Sequence, residues 1–191
     1  MSNRSNAALL LMDVQNAIAG RYADAAGADV LHPFRRALEA ARNRGIPVIF
    51  VRLAFREGYP EISPRNKMFS RVADAWGAMS PADFGAQIHE AVQPLPVEPI
   101  VTKLRVSAFV GSDLEVILRS RGIDTLILSG IATSGVVLST LREAADKDYA
   151  LTVLSDACLD ADPEVHRVLV EKVFPRQADV LTVDAWIDAL D

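Results

Sequence analysis

Two side chains and one turn in this sequence have the makings of a proton-handling site. Asp13 follows the apolar run Ala7 to Met12, and Lys103 follows the short apolar stretch Pro99 to Thr102. A carboxylate facing an ammonium in a partly dry cleft can hold or pass a proton, because the ammonium fixes the carboxylate or stabilises negative charge forming on a ligand. The third feature is the stretch Thr125 to Arg142, which reads TLILSGIATSGVVLSTLR. Apolar residues run into Ser129 and Gly130, small residues follow, and a helical pattern begins near Val136. Such a crest aims N–H groups and the positive end of a helix dipole at one point beyond the strand, where anions and developing oxyanions are stabilised. Position alone leaves a plainer reading open, with Asp13 a strand-end acid bonded to backbone N–H groups and Lys103 a solvated surface lysine.

These residues must be carried by elements that bring distant positions together. Uniformly apolar strands are expected at Ala7 to Met12, Ile46 to Leu53, Pro99 to Thr102, the start of the Thr125 unit, Tyr149 to Leu154 (leading to Asp156) and Asp179 to Val183. Helices are expected between them. Val30 to Arg44 places Leu31, Phe34, Leu38 and Ala41 on one face, Phe84 to Val92 is short, and Gly111 to Arg121 has Ser112 as a fair N-cap. Asp162 to Val173 carries Pro163 in its first turn, and a last helix ends the chain. Apolar strands alternating with helices call for right-handed crossovers and a parallel sheet covered on both faces, a three-layer α/β sandwich. Ligands of such sheets bind outside the carboxyl ends of the strands, near the point where strand order reverses. Asp13, Lys103 and the Gly130 to Val136 crest all fall at strand carboxyl ends and can converge there.

The connection Ala54 to Phe84 is long and irregular, as functional lids often are. Its Phe55, Tyr59, Phe69 and Trp76 are able either to line a pocket or to cover the sheet edge. Arg52, Arg56, Arg65 and Arg105 are candidates for holding a substrate carboxylate, with Arg105 the nearest in sequence to Lys103.

Composition narrows the partners. With 191 residues, 50% of them hydrophobic and 24% charged, the chain is expected to form a single domain over residues 1–191. A formal charge of −5 without any basic run argues against nucleic acid and anionic membranes, and favours a small-molecule partner. The polar start and the lack of a long apolar stretch point to a cytoplasmic protein with no membrane span. No Gly-x-Gly-x-x-Gly follows the first strand, so no dinucleotide cofactor is expected. His32, His89 and His166 have no partners at metal-ligand spacing, so no metal is expected either. The single cysteine, Cys158, rules out an internal disulfide.

The blocks LLLMDVQN (Leu9 to Asn16), TKLRVSAFVGSDL (Thr102 to Leu114) and LILSGIATSGVVLSTLR (Leu126 to Arg142) resemble, in order, three signatures of the isochorismatase-like or cysteine hydrolase superfamily. DACLDADPEVH (Asp156 to His166) resembles a stretch found in one of its branches. The resemblance implies a Rossmann-like three-layer sandwich around a six-stranded parallel sheet, a homodimer or homotetramer, and a catalytic Asp, Lys and Cys. Asp13 and Lys103 match the first two. In the third block, counting from Thr133 to Ser139 puts Val136 at the nucleophile's position, where a valine cannot attack a carbonyl. The resemblance further implies a cis peptide bond at Ile131–Ala132 and an oxyanion-binding crest made of Ile131, Ala132, Thr133, Ser134 and Gly135. Gln15, Arg105 and Phe109, within the matched blocks, are candidate substrate contacts.

Cys158 lies outside the triad blocks and reads as a small, buried, inert residue. Thr133 and Ser134 read as caps of the following helix, since no histidine stands in these motifs to activate a hydroxyl. Nicotinamidase-like members carry an Asp/His metal cluster after the second strand, whereas Arg52 to Asn66 contains no histidine. The resemblance then implies a small-molecule hydrolase working without a covalent thioester, by isochorismatase-like vinyl ether hydrolysis or a related C–O or C–N cleavage. The alternative is a catalytically degenerate member that binds a small molecule or has a structural role. In the hydrolase, Asp13 would act as a protonated acid. Burial raises its pKa and Lys103 lowers it, and the sequence leaves that balance open.

Overall fold

The structure, a computed structural model, describes residues 6–23, 29–72, 74 and 77–190. Its frame is a sheet of six parallel strands in the order β3-β2-β1-β4-β5-β6, formed by β1 (Ala7–Met12), β2 (Val48–Leu53), β3 (Ile100–Lys103), β4 (Thr125–Ile131), β5 (Ala150–Leu159) and β6 (Asp179–Leu181). The order reverses between β1 and β4. A cleft opens at that switch point because the crossovers on its two sides leave in opposite directions.

The α-helices whose bounds lie within the described residues are α1 (Asn16–Ala23), α2 (His32–Asn43), α3 (Leu114–Ser120), α4 (Leu138–Asp146), α5 (Pro163–Val168) and α6 (Val183–Asp188). Successive strand side chains point to opposite faces, so each strand feeds two cores. Leu10, Met12, Ile49 and Val51 pack with Leu114 and Leu118 of α3, and with Leu141 and Ala144 of α4. Leu9, Leu11, Val48 and Phe50 pack with Phe34, Ala37 and Leu38 of α2, and with Val183 and Trp186 of α6. Each fully buried side chain of this kind contributes about 1.5–3 kcal/mol. A third, smaller cluster of Leu53, Ala54, Phe55, Phe69, Val72, Met79 and Ala86 lies under the segment that follows β2.

Several elements differ from the sequence expectation. Helix α1 lies where none was expected. The Phe84 to Val92 helix is two separate 3₁₀ turns, Phe84–Ala86 and Glu90–Val92. Strand β5 runs on to Leu159 through a register shift, so that Leu128 faces Val153 while Gly130 faces Cys158. The extra β5 residues are used locally: Ser129 Oγ donates to the Ala157 carbonyl, and Asp156 accepts from the Val183 N–H at the start of α6. At the start of α5, Pro163 follows Asp162, whose carboxylate caps the helix by accepting from the Glu164 and Val165 N–H groups.

One glycine is required where β1 and β4 meet. A Cβ on Gly130 would stand 2.6 Å from the Met12 carbonyl oxygen and 2.9 Å from the Met12 Cβ. Only a residue without a side chain lets the two strands run this close at the floor of the cleft.

Candidate active site

Strand β1 ends by turning at Asp13, whose φ of 58° lies in the left-handed region that Asp tolerates better than most residues. The Asp13 N–H donates to the Val51 carbonyl at 2.8 Å, which ties the turn to β2. Two strands away, β3 ends at Lys103, and the parallel registers bring the two ends level: Met12 faces Val51, and Leu53 faces Lys103. Lys103 Nζ lies 2.9 Å from Asp13 Oδ2 and donates to the Arg105 carbonyl at 2.9 Å. Asp13 is 5% and Lys103 1% exposed, so the two side chains are held out of bulk water as a pair.

The other carboxylate oxygen is different. Asp13 Oδ1 is buried and has no hydrogen-bond partner among the described residues, and Asp13 lines a cavity of about 240 Å³. Burial pushes the Asp13 carboxyl above its ordinary value, while the charge and hydrogen bond of Lys103 pull it down; burial prevails. The balance that the sequence left open is therefore tipped towards the protonated acid.

The cavity walls come from four places. Ile131, Ala132, Gly135 and Val136 supply the crest side, and Leu53, Lys103 and Val106 the β2 and β3 side. Met68 and Phe69 come from the long connection, and Ile18, Arg21 and Tyr22 from α1. The Ile131–Ala132 peptide bond is cis, as the resemblance implied. After it the chain makes a π-type turn, Thr133–Val137, into α4. Several crest N–H groups are spent within the protein: Ser134 N donates to Asp160 Oδ2, and Gly135 N and Val137 N to the Ala132 carbonyl.

The isochorismatase domain family matches residues 7–185. The chain belongs to the isochorismatase family of hydrolases. A ureidoacrylate amidohydrolase RutB of Stutzerimonas stutzeri is 34% identical over an alignment covering 98% of this chain and 81% of that protein. One from Caulobacter vibrioides is also 34% identical, covering 82% and 78%. Among solved structures, an isochorismatase family protein from Burkholderia thailandensis superposes with a TM-score of 0.81 at 29% identity, covering 97% of this chain and 95% of the other. N-carbamoylsarcosine amidase from Thermoplasma acidophilum does so with a TM-score of 0.71 at 25% identity, covering 93% and 96%.

In this isochorismatase-family fold the candidate residues separate by position. Asp13, Lys103, Ile131, Ala132, Gly135 and Val136 meet at the cavity. Gln15 is fully buried but faces backbone: its Nε2 donates to the Leu53 and Ala86 carbonyls, and its Oε1 accepts from the Leu53 N–H. It staples the ends of β1 and β2 to the segment around Ala86, so a contact with substrate does not follow. Arg105 donates to the Leu104 and Glu61 carbonyls and lies 5.9 Å from the centre of the Phe69 ring, behind the cavity wall. Phe109 packs into the core beside Tyr149, with ring centres 6.1 Å apart. Neither side chain lines the cavity.

Thr133 and Ser134 do not cap α4. Thr133 Oγ1 lies 2.8 Å from His166 Nδ1, and the Ser134 side chain is exposed. Burial lowers the pKa of His166, against the opposing charge of Asp160, which keeps the ring neutral beside Thr133. Of the aromatics in the connection, Phe55, Tyr59 and Phe69 pack edge to face, and Phe69 alone of these three reaches the cavity. Trp76 lies outside the described residues. Among the described residues, no three His, Cys, Asp or Glu side chains gather as a metal site, and no helix is long and apolar enough to cross a membrane.

Sequence reasoning missed Ile18, Arg21 and Tyr22, all on α1. The spacing of Ile18 and Tyr22, four residues apart, is the one signal that pointed to a helical face there.

Proposed function

We propose that this chain hydrolyses a C–N or C–O bond of a small molecule by adding water directly, with Asp13 as the proton carrier and no covalent enzyme intermediate. The observation that carries the reading is Asp13 Oδ1, a buried oxygen without a partner among the described residues, on a residue that lines the cavity. A protonated Asp13 donates its proton to the leaving nitrogen or oxygen, or to the vinyl carbon of an enol ether, as the bond breaks. Water adds its hydroxyl to the other fragment, and its remaining proton restores the carboxyl. Lys103, bound to Oδ2, fixes the acid and offsets negative charge when the proton has left. Val136 at the place where the resemblance expects the cysteine supports a route that bypasses an acyl-enzyme. The relatives named for ureidoacrylate and N-carbamoylsarcosine weigh towards C–N cleavage of a carbamoyl compound.

The test uses two probes, isochorismate with pyruvate release and 3-ureidopropionate with ammonia release. Turnover of either is expected to fall by about 10²–10⁴-fold in Asp13→Asn, which preserves shape and cannot donate the proton. Intact-mass spectrometry during turnover should show only the unmodified chain. A covalent adduct, or a variant as active as the parent, would overturn the reading. The second reading, a ligand-binding member without catalysis, is favoured by the apolar Val136 in the wall; binding of the probes without release would select it.

A further inference from the structure

The block from Asp156 to His166 has no part in the proposed chemistry, yet two of its side chains reach the crest. The turn Thr133–Val137 between β4 and α4 supplies Gly135 and Val136 to the cavity wall, with Ala132 just before it. It is irregular: Gly135, with φ −99° and ψ −106°, leaves helical geometry, so the repeating bonds of a helix do not fix its course. The end of β5 and helix α5 both pack against this turn. From that side Asp160 Oδ2 accepts from Ser134 N at 2.7 Å, and His166 Nδ1 lies 2.8 Å from Thr133 Oγ1. The two holders are themselves tied together. Asp160 Oδ1 accepts from Asp162 N, and the His166 N–H donates to the Asp162 carbonyl in the first turn of α5.

We infer that His166 is a positioning residue: through the Thr133 hydroxyl it sets the crest, and with it the cavity wall at Ala132, Gly135 and Val136, against Asp13 and Lys103. The inference rests on the hydrolase reading only for its effect on turnover; the brace itself is a property of the fold. Thr133 is fully buried and does not line the cavity, so its hydroxyl is out of a substrate's reach and acts through the backbone that carries it. A buried hydroxyl needs a partner, because leaving it unmatched costs more than its bond contributes. The neutral His166 ring supplies one. Asp160 does not suffice by itself: a single bond to Ser134 N pins one point and leaves the chain free to turn about it. The second bond, at the neighbouring residue, removes that freedom, and Gly135 and Val136 follow directly in the chain.

The test compares Thr133→Val, which keeps the shape and loses the hydroxyl, with Thr133→Ser, which keeps the hydroxyl, and with His166→Gln. Hydrogen–deuterium exchange at pH 7 reads the crest without any substrate. Thr133→Val and His166→Gln should each speed amide exchange across residues 132–138 about tenfold and leave β1 and α2 unchanged, while Thr133→Ser should match the parent. Should His166→Gln fail to fold, the two Thr133 variants carry the comparison. Arg167→Gln removes the ion pairs of α5 with Glu164 and Glu171 and should leave the crest as protected as in the parent; equal loosening there would mean that helix packing in general, and not the hydroxyl contact, holds the turn. With whichever probe the parent hydrolyses, Thr133→Val and His166→Gln should lower kcat about tenfold with KM within about twofold, and the double variant should be no slower than the slower single one. Unchanged exchange in Thr133→Val, faster exchange with kcat kept, or kcat losses that multiply in the double variant would each overturn the inference. If the parent hydrolysed neither probe, the exchange result would still decide the brace, and only the hydrolase reading would fall.

Discussion

Val136 and Cys158 are each 2% exposed, and they sit on neighbouring parts of the same sheet end, yet they have opposite chemical prospects. Val136 presents one side to the core and the other to the cavity that Asp13 and Lys103 line. Cys158 faces Gly130 across the β4–β5 ladder and packs into the core with no part of it on the cavity. Its thiol is pushed up to about 12, chiefly by burial and further by the charge of Asp156, against a hydrogen bond from the Gly130 backbone. Equal burial thus gives an unreactive thiol in one place and a wall position beside a lysine in the other. What separates them is access to the cavity and a cation at hand, not depth.

The sharpest way to break this comparison is to put a thiol in both places. In Val136→Cys the new sulfur lines the cavity near Lys103, at the start of the turn into α4, where its pKa should be depressed. At pH 8 a thiol of pKa about 12 is thiolate in roughly one molecule in 10⁴, far below an ordinary cysteine. Iodoacetamide should therefore alkylate Val136→Cys at least about a hundredfold faster than Cys158, read by mass spectrometry of the two tryptic fragments. Equal rates would mean that Val136 does not occupy the reactive position, and that the third block has been aligned wrongly.

The two positions were unequally legible before the structure was known. Strands β1 and β4 could be read almost to the residue because both of their faces are buried and every position is apolar or small. The residue types of the site, Asp13 and Lys103, stood at strand ends where a parallel sheet places ligands. Their pairing depended on the β3-β2-β1 order, which fold-level rules supply. Other parts carried no such signal. Helix α1 contains Gly20 and only a short apolar face, so Arg21 and Tyr22 were invisible as lining residues. The end of β5 includes Asp156 facing α6 rather than an apolar alternation, and the strand therefore read as ending early. The contact of Thr133 with His166 joins residues far apart in sequence, and nothing local encodes it. The connection after β2 packs on its own small cluster, which leaves no period of 2 or 3.6 to follow. Gln15 and Phe109 show a different limit of motif reading. They lie inside matched blocks, yet one bonds backbone and the other packs in the core.

A smaller effect is expected at the residue between the two halves of the comparison. Gly130 faces Met12 on β1 and Cys158 on β5. The methyl group of Gly130→Ala would meet the Met12 carbonyl oxygen at 2.6 Å and the Met12 Cβ at 2.9 Å, so that it is the β1 backbone, not the far end of a flexible side chain, that must yield. Such overpacking costs about 1–3 kcal/mol, a fall of roughly 3–10 °C in melting temperature for a chain of this size. Because Met12 precedes Asp13, the same shift should lower turnover while leaving the thiol of Cys158 unreactive. An unchanged melting temperature would show that β1 and β4 part more easily at the cleft floor than their close approach implies.

The smallest effect belongs to Cys158 itself. Cys158→Ser keeps the size of the side chain nearly constant and exchanges a thiol for a hydroxyl that can accept the Gly130 N–H as the sulfur does. The cost is that of burying a more polar group, about 1 kcal/mol when a partner is at hand. Turnover of whichever probe the parent hydrolyses should stay within about threefold, since a barrier change under 1 kcal/mol is less than a tenfold effect. The readout has to be kcat rather than expression or melting temperature, because a modest loss of stability is expected in any case. A hundredfold loss in kcat with the melting temperature nearly unchanged would reverse the comparison. The buried thiol would then be the working nucleophile, its raised pKa would have to fall on ligand binding, and Asp13 would act on it rather than on water.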